Sequence, residues 1–309
     1  MKLFLIVIAI VAVTGFFFIK QDISPGSVAV NVSEVNESDK EPEQIPEISV
    51  SVSILPERII QGELVLVTIN GTQAVKSITF EGKRLDVFNN EGKLQALIGI
   101  DLRKISGKYP LVVILVDGTV IKKDITVGER VVVKEKFKIP EKLGGDTPES
   151  EKNLISTLIQ EGVIINSIPT GDKKLWEGKF RYPTEVPIVT DVYGYSRLTG
   201  ASTIAHKGTD FRALVGTPLY AMNTGTVRYT RYLRNYGHTI VLDHGLGLQT
   251  IYMHLSEVLV KNGDGVVKGE LIAKSGDTGY VFGPHLHLSI KIDHISIDPM
   301  KFMELLGSI

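Results

Sequence analysis

Residues 48–54 (ISVSVSI) alternate apolar side chains with serine without a break. A period of two puts every isoleucine and valine on one face of an extended strand and every serine on the other, and it does not fit the 3.6-residue period of a helix. Similar short runs occur at 64–69, 76–80, 84–88, 94–100, 111–116 and 120–127. Turn chemistry separates them at Asn70-Gly71, Glu81-Gly82, Asn89-Asn90-Glu91-Gly92 and Asp117-Gly118. Short strands punctuated about every ten residues predict a mainly β chain in which residues 48–130 form a small immunoglobulin-like β-sandwich. That stretch holds no histidine, and its charges are scattered as on solvated faces, so it reads as a spacer or a docking module.

The residues before the sandwich have a different character. Residues 3–19 (LFLIVIAIVAVTGFFFI) carry no charge and are flanked by Lys2 and Lys20. As a helix they would extend about 26 Å, at the short end of what crosses a hydrocarbon core of about 30 Å. The run ends in Phe16, Phe17, Phe18 and Ile19 instead of a small-x-small cleavage site, which favours an uncleaved anchor over 1–20 rather than a removed signal peptide. Either reading sends the remainder across a membrane, anchored in the first case and secreted in the second. Residues 21–47 are acidic, proline-containing and without apolar periodicity, the composition of a solvated, disordered linker.

The overall charge is −1, from 34 Lys+Arg and 35 Asp+Glu, so no basic field draws the chain to nucleic acid. There is no cysteine, which excludes disulfides, a thiol nucleophile and thiolate metal sites while leaving imidazole and carboxylate ligands available. Residues 131–175 are expected to connect the sandwich to a separate C-terminal domain. They include a helix with Thr147 as N-cap, Pro148 at its first position, Glu149 and Glu151 in its first turn and Gly162 at its end.

All seven histidines fall after Trp176, at 206, 238, 244, 254, 285, 287 and 294. In His206-Lys207-Gly208-Thr209-Asp210 an imidazole and a carboxylate four residues apart share a strand face and can converge. In Gly283-Pro284-His285-Leu286-His287-Leu288-Ser289-Ile290 two imidazoles alternate with core-type residues, which places both in one space. Imidazoles spaced in this way suit zinc when no thiolate is available. His254 lies on the polar side of a third apparent strand, 250–255, with Thr250 and Tyr252. Two His and one Asp would satisfy a catalytic zinc with one open position, leaving two histidines for proton transfer. The spacing does not say which of His285 and His287 is the ligand. His244 reads as a turn or groove-wall residue and His238 and His294 as surface positions. Asp243, Asp264 and Asp277 read as turn residues.

Residues 193–302 resemble the lysostaphin/LytM-type zinc metallopeptidases, which cut peptide bonds in peptidoglycan. The resemblance rests on the H-x-G-x-D of His206 to Asp210, on Gly216-Thr217-Pro218-Leu219-Tyr220-Ala221 and on Tyr236-Gly237-His238-Thr239-Ile240-Val241-Leu242-Asp243-His244-Gly245. It continues through Tyr252-Met253-His254-Leu255-Ser256 and Gly276-Asp277-Thr278-Gly279 to Gly283-Pro284-His285-Leu286-His287. It implies an antiparallel β peptidase domain with an open groove, assigned to 176–309. It further implies His206, Asp210 and His287 as Zn2+ ligands, and His254 and His285 as catalytic histidines outside the ligand set. No organic cofactor is implied. Leu288-Ser289 replaces the usual Phe-Glu, and Met253 replaces a small residue. The expected activity is zinc-dependent endopeptidase cleavage of peptidoglycan peptides, in the cell envelope, with the sandwich meeting an envelope protein partner. The alternative is a non-cleaving wall-binding regulator or adaptor that retains the fold.

Overall fold

The computed structural model describes residues 50–71, 73–136, 138–199 and 202–307. The proposed anchor and acidic linker lie outside these residues. Among the described residues no helix is long and apolar enough to cross a membrane.

The first strands are β1 (Ser51–Leu55), β2 (Ile59–Ile60), β3 (Leu64–Asn70), β4 (Val75–Phe80), β5 (Lys83–Arg84), β6 (Val87–Asn90), β7 (Lys93–Gly99), β8 (Gly107–Leu115) and β9 (Val120–Gly128). They form two sheets, in the orders β1-β3-β7-β6 and β2-β9-β8-β4-β5. The sheets share a core in which Val52, Val65, Val67 and Ile98 meet Ile78, Leu111, Val113 and Ile125. In β1 the alternation does what it predicts, with Val52 buried and Ser51 and Ser53 exposed.

β3 behaves differently, because it is buried on both faces. Val65, Val67 and Ile69 belong to the core between the two sheets, whereas Leu64 and Leu66 belong to a second core shared with the C-terminal half. Phe88 and Leu97 also reach that second core, where Phe88 meets the Trp176 ring edge-on at 5.0 Å. A strand covered on both sides needs a continuous apolar run, and LVLVTI is one.

The connector contributes β10 (Lys134–Lys136) and α1 (Pro148–Asn166). Thr147 caps α1 as expected, its hydroxyl accepting from the Ser150 amide at 3.1 Å. The helix does not end at Gly162 but runs four residues further, to Asn166. Ile165 is buried there against Val241, Ile251 and Met253. Burying such a side chain is worth about 1.5–3 kcal/mol, more than the roughly 1 kcal/mol that an internal glycine costs a helix. Buried Glu161 docks the same helix by accepting the Asn235 amide at 2.9 Å.

The C-terminal strands are β11 (Val189–Asp191), β12 (Ser196–Thr199), β13 (Ser202–Ala205), β14 (Thr209–Arg212), β15 (Pro218–Tyr220), β16 (Gly225–Leu233), β17 (Gly237–Gly245), β18 (Leu248–Val258), β19 (Gly265–Val266), β20 (Leu271–Ser275), β21 (His285–Ile292) and β22 (Ile295–Ile297). The main sheet is antiparallel in the order β11-β14-β21-β18-β17-β16-β19. One face carries Phe211, Leu286, Leu288 and Tyr252 into the core completed by Phe302 of α2 (Pro299–Leu306). The opposite face carries Asp210, His285 and His287. β12 and β13 form a hairpin that pairs in parallel with β10 at its edge.

Candidate metal centre

Cross-strand register builds the site. On β14 and β21, Asp210 lies opposite His287 and Arg212 opposite His285. Directly opposed residues share a sheet face, so the fully buried Phe211, Leu286 and Leu288 point the other way. His206 precedes β14 and closes the group. Its Nε2 lies 3.1 Å from Asp210 Oδ1 and 3.0 Å from His287 Nδ1, and that Nδ1 lies 2.8 Å from the same Oδ1. The structure thus brings together His206, Asp210 and His287.

Hydrogen bonds on the outer sides of these groups fix which atoms face inward. His206 Nδ1 lies 2.8 Å from the Val192 carbonyl oxygen, which can only accept, so Nδ1 carries a proton and Nε2 is the nitrogen turned inward. His287 Nε2 lies 3.0 Å from Ser289 Oγ. The Ser289 hydroxyl donates to the Lys207 carbonyl at 2.9 Å, so it accepts from His287 and leaves the Nδ1 lone pair facing inward. Burial pushes the Asp210 carboxyl up, but the imidazoles of His206 and His287 outweigh it and hold Asp210 well below the usual range. Burial pulls His287 down to about 4, although Asp210 acts against it.

Two imidazole nitrogens and a carboxylate oxygen therefore converge on one point. Electron-pair donors gathered in this way suit a shared cation. The triangle edges of 2.8 to 3.1 Å approach the roughly 3.3 Å separating two ligands of a tetrahedral ion at about 2.0–2.1 Å. The donor set fits a small divalent metal.

The two remaining site histidines stand beside the triangle. His254 and His285 have ring centroids 4.9 Å apart, and His254 lies 5.9 Å from His287. Their Nδ1 atoms donate to the carbonyls of Thr278 and Gly283 at 2.8 and 2.9 Å, so each presents Nε2 as the free nitrogen. His254 sits at φ 62° in β18, a left-handed conformation uncommon for a residue other than glycine. Burial, then the neighbouring His285 and His287, hold its pKa well below the ordinary value, so it stays neutral. His285 is more open, with 21% of its side chain exposed, and its Nε2 lies 3.7 Å from Asp210 Oδ2.

Residues 204–299 match the model of peptidase family M23. The chain carries an M23 peptidase domain. Over 96 residues, 31% of the chain, it is 47% identical to an uncharacterized metalloprotease of Haemophilus influenzae, covering 20% of that protein. Over an equal stretch it is 43% identical to the peptidoglycan DD-endopeptidase ShyA of Vibrio cholerae, covering 22% of it. The chain therefore spans only about a fifth of these curated relatives. A crystal structure of a putative M23 peptidase from Pseudomonas aeruginosa superposes with a TM-score of 0.58 at 23% identity, covering 80% of this chain and 95% of that one. That likeness concerns the fold, and it reaches beyond the M23 domain.

Three further residues support the site in ways the sequence alone does not show. Arg197 places Nη2 2.8 Å from Asp191 Oδ2 and 3.3 Å from Asp210 Oδ2, which leaves Oδ1 as the oxygen turned to the triangle. It comes from β12, outside any motif. Gly208 is required by space, because a Cβ there would collide with His287 Nε2 and the Leu288 carbonyl. The third, Ser289, was visible only as a departure from the family pattern. Outer-shell partners of this kind typically account for 10- to 100-fold in metal affinity. Ser289→Ala is expected to weaken zinc binding by about that factor, read by competition with a chromogenic chelator. Unchanged affinity would count against the hydrogen-bond chain that fixes His287.

The structure separates the other histidines from this site. His294 is exposed, and His238 is half-buried with its ring 5.1 Å from Tyr232. Asp243 lies within β17, fully buried, and binds Arg228 and the amides of Gly171 and Gly245. His244 is fully buried, with its ring nitrogens 2.9 Å from the Thr224 carbonyl and 2.8 Å from Thr250 Oγ1. Burial lowers its pKa from 6.5 to about 4. Between those values the unfolded chain binds the extra proton, so stability rises with pH across the window and falls as pH drops from 6.5 towards 4. Complete protonation would remove about 3 kcal/mol. His244→Asn is expected to flatten the dependence of the urea midpoint on pH over this range. An equally steep dependence in the variant would refute the assignment.

Proposed function

We propose that this protein is a zinc-dependent endopeptidase that hydrolyses peptide cross-links or stem peptides of peptidoglycan. The observation that carries this reading is the convergence of His206 Nε2, Asp210 Oδ1 and His287 Nδ1, each turned inward by its own outer hydrogen bond or charge. Likeness to a peptidoglycan DD-endopeptidase supports the substrate class. All five chemical positions are present, which weighs against a non-cleaving regulator.

Zinc held by His206, Asp210 and His287 would polarise the scissile carbonyl and lower the pKa of an attacking water towards about 7. Two side chains then handle the proton. His285 turns Nε2 towards the site, is partly exposed and lies 3.7 Å from Asp210 Oδ2. His285 therefore takes the proton from the water and returns it to the leaving amine. His254 resists protonation and keeps a neutral Nε2 that orients the water by accepting its second hydrogen. Its φ of 62° turns the ring towards His285, out of the regular alternation of β18.

Substrate polymer of this kind lies outside the cytoplasmic membrane, so we place the protein in the cell envelope, with residues 3–19 as its anchor. Residues 48–130 then serve as an immunoglobulin-like spacer or docking module for an envelope partner. Their two facing sheets support this reading. The test uses residues 48–309, stripped with a chelator and reloaded with zinc, on isolated peptidoglycan. New amines and cleaved fragments in mass spectrometry are expected only after reloading. Zinc retention with no cleavage of walls of several chemistries would overturn the reading in favour of the non-cleaving adaptor.

A further inference from the structure

Arg212 is the one outward-facing residue of β14 besides Asp210. The strand buries Thr209 and Phe211 completely, Asp210 belongs to the metal triangle, and Arg212 is exposed. Its register partner across the ladder is His285, so the two side chains rise from the same face. Opposed Cα atoms in an antiparallel ladder are about 4.5–5.5 Å apart, and residues i and i+2 about 7 Å. The guanidinium thus originates about one strand spacing from His285 and one repeat from Asp210. Among the described residues no acid pairs with Arg212 and no hydrogen bond holds its side chain; its backbone amide binds the Ile188 carbonyl. Arg197, by contrast, is committed to Asp191 and Asp210.

The surroundings limit what Arg212 can meet. Leu214, Val215 and Phe282 are large apolar side chains left exposed. Their loops join at one corner: Gly216 N donates to the Ser275 carbonyl at 2.8 Å, and the adjoining Gly276 bridges to His285. Arg212 and His285 therefore share a rim with apolar side chains, and among the described residues Arg212 has no ion pair. A peptide with small apolar side chains and one carboxylate is complementary to such a rim, and a guanidinium is suited to hold that carboxylate by two parallel hydrogen bonds.

Building on the peptidase reading, we propose that Arg212 is a specificity-determining residue that binds a free carboxylate on the peptide residue next to the scissile bond. The carboxylate belongs either to a side chain or to a chain terminus, and the test separates the two. The full chain is assayed with matched cross-linked peptides in which either the side-chain carboxyl or the terminal carboxyl is free or amidated. Cleavage is followed on zinc-reloaded protein and affinity, by calorimetry, on chelated protein. Wild type is expected to favour one free-carboxyl peptide over its amidated twin by about 10-fold or more, in line with a charge-assisted hydrogen bond. Arg212→Gln is expected to bring that ratio close to one, Arg212→Lys to restore part of it and Arg212→Glu to invert it. The pair that responds identifies which carboxyl is read. A wild-type ratio near one for both pairs, or a ratio that survives Arg212→Gln, overturns the proposal. If nothing is cleaved but binding keeps an Arg212-dependent preference, the carboxylate site stands and the peptidase reading falls.

Discussion

His287→Ala is expected to abolish both metal retention and hydrolysis. The substitution removes one of three inward lone pairs and also releases Ser289, whose hydroxyl loses its imidazole donor. The buried carboxylate of Asp210 then keeps His206, Arg197 and the more distant His285 as compensation. Without the metal, the polarisation of the carbonyl and the activation of water are lost together. An electrostatic contribution of several kcal/mol corresponds to a rate loss of at least about 10³-fold. Metal content of the purified variant, measured by atomic spectroscopy, should drop to background along with amine release from peptidoglycan. His294→Asn provides the control, since His294 is exposed and asparagine tolerates its φ of 67°. A His287→Ala protein that still holds stoichiometric zinc and cleaves at the parental rate would dismiss the centre described above.

A fragment of residues 131–309 is expected to be far less stable than residues 48–309. The core beneath the catalytic sheet is completed by Leu64 and Leu66 of β3, Phe88 of β6 and Leu97 of β7. Removing them bares the Trp176 side of that core and forfeits about 1.5–3 kcal/mol for each large side chain, an upper estimate because exposed surfaces relax. The total is comparable with the 5–15 kcal/mol that holds an ordinary domain together. The cut also removes Arg130, whose guanidinium pairs with Asp298 at 3.1 Å, and Gly62, whose carbonyl accepts the Asp298 amide at 2.7 Å. Circular dichroism melts of the two proteins should differ by more than 10 °C, by a rough conversion for chains of this size, or the fragment should be insoluble. Coincident melts would mean that the two cores are independent.

This shared core changes how the first half of the chain is read. The alternation at 51–54 is one-faced in both sequence and structure, because Val52 is buried between two sheets and Ser51 and Ser53 meet solvent. The run at 64–69 shows only that it is apolar. That its leucines and valines serve two different cores depends on a surface supplied by residues far along the chain. The end of α1 falls beyond Gly162 for a similar reason. Local propensity favours a stop there, but the pocket for Ile165 is made by β17 and β18.

The chemistry divides along the same line. The period-two placement of His285 and His287 and the spacing of His206 and Asp210 are properties of the sequence, as is the absence of any thiolate ligand. They determine that Asp210, His285 and His287 are available on strand faces, because a strand alternates its side chains whatever it packs against, whereas His206 sits not on a strand face but in the turn before β14. Only the tertiary structure decides how those donors are used. Cross-strand register sets Asp210 against His287, the Ser289 to Lys207 hydrogen bond selects Nδ1 of His287, and Arg197 from another strand takes the second oxygen of Asp210. Each of these choices is made by an atom distant in the chain, and the direction of a lone pair is set by the partner on the other side of the ring.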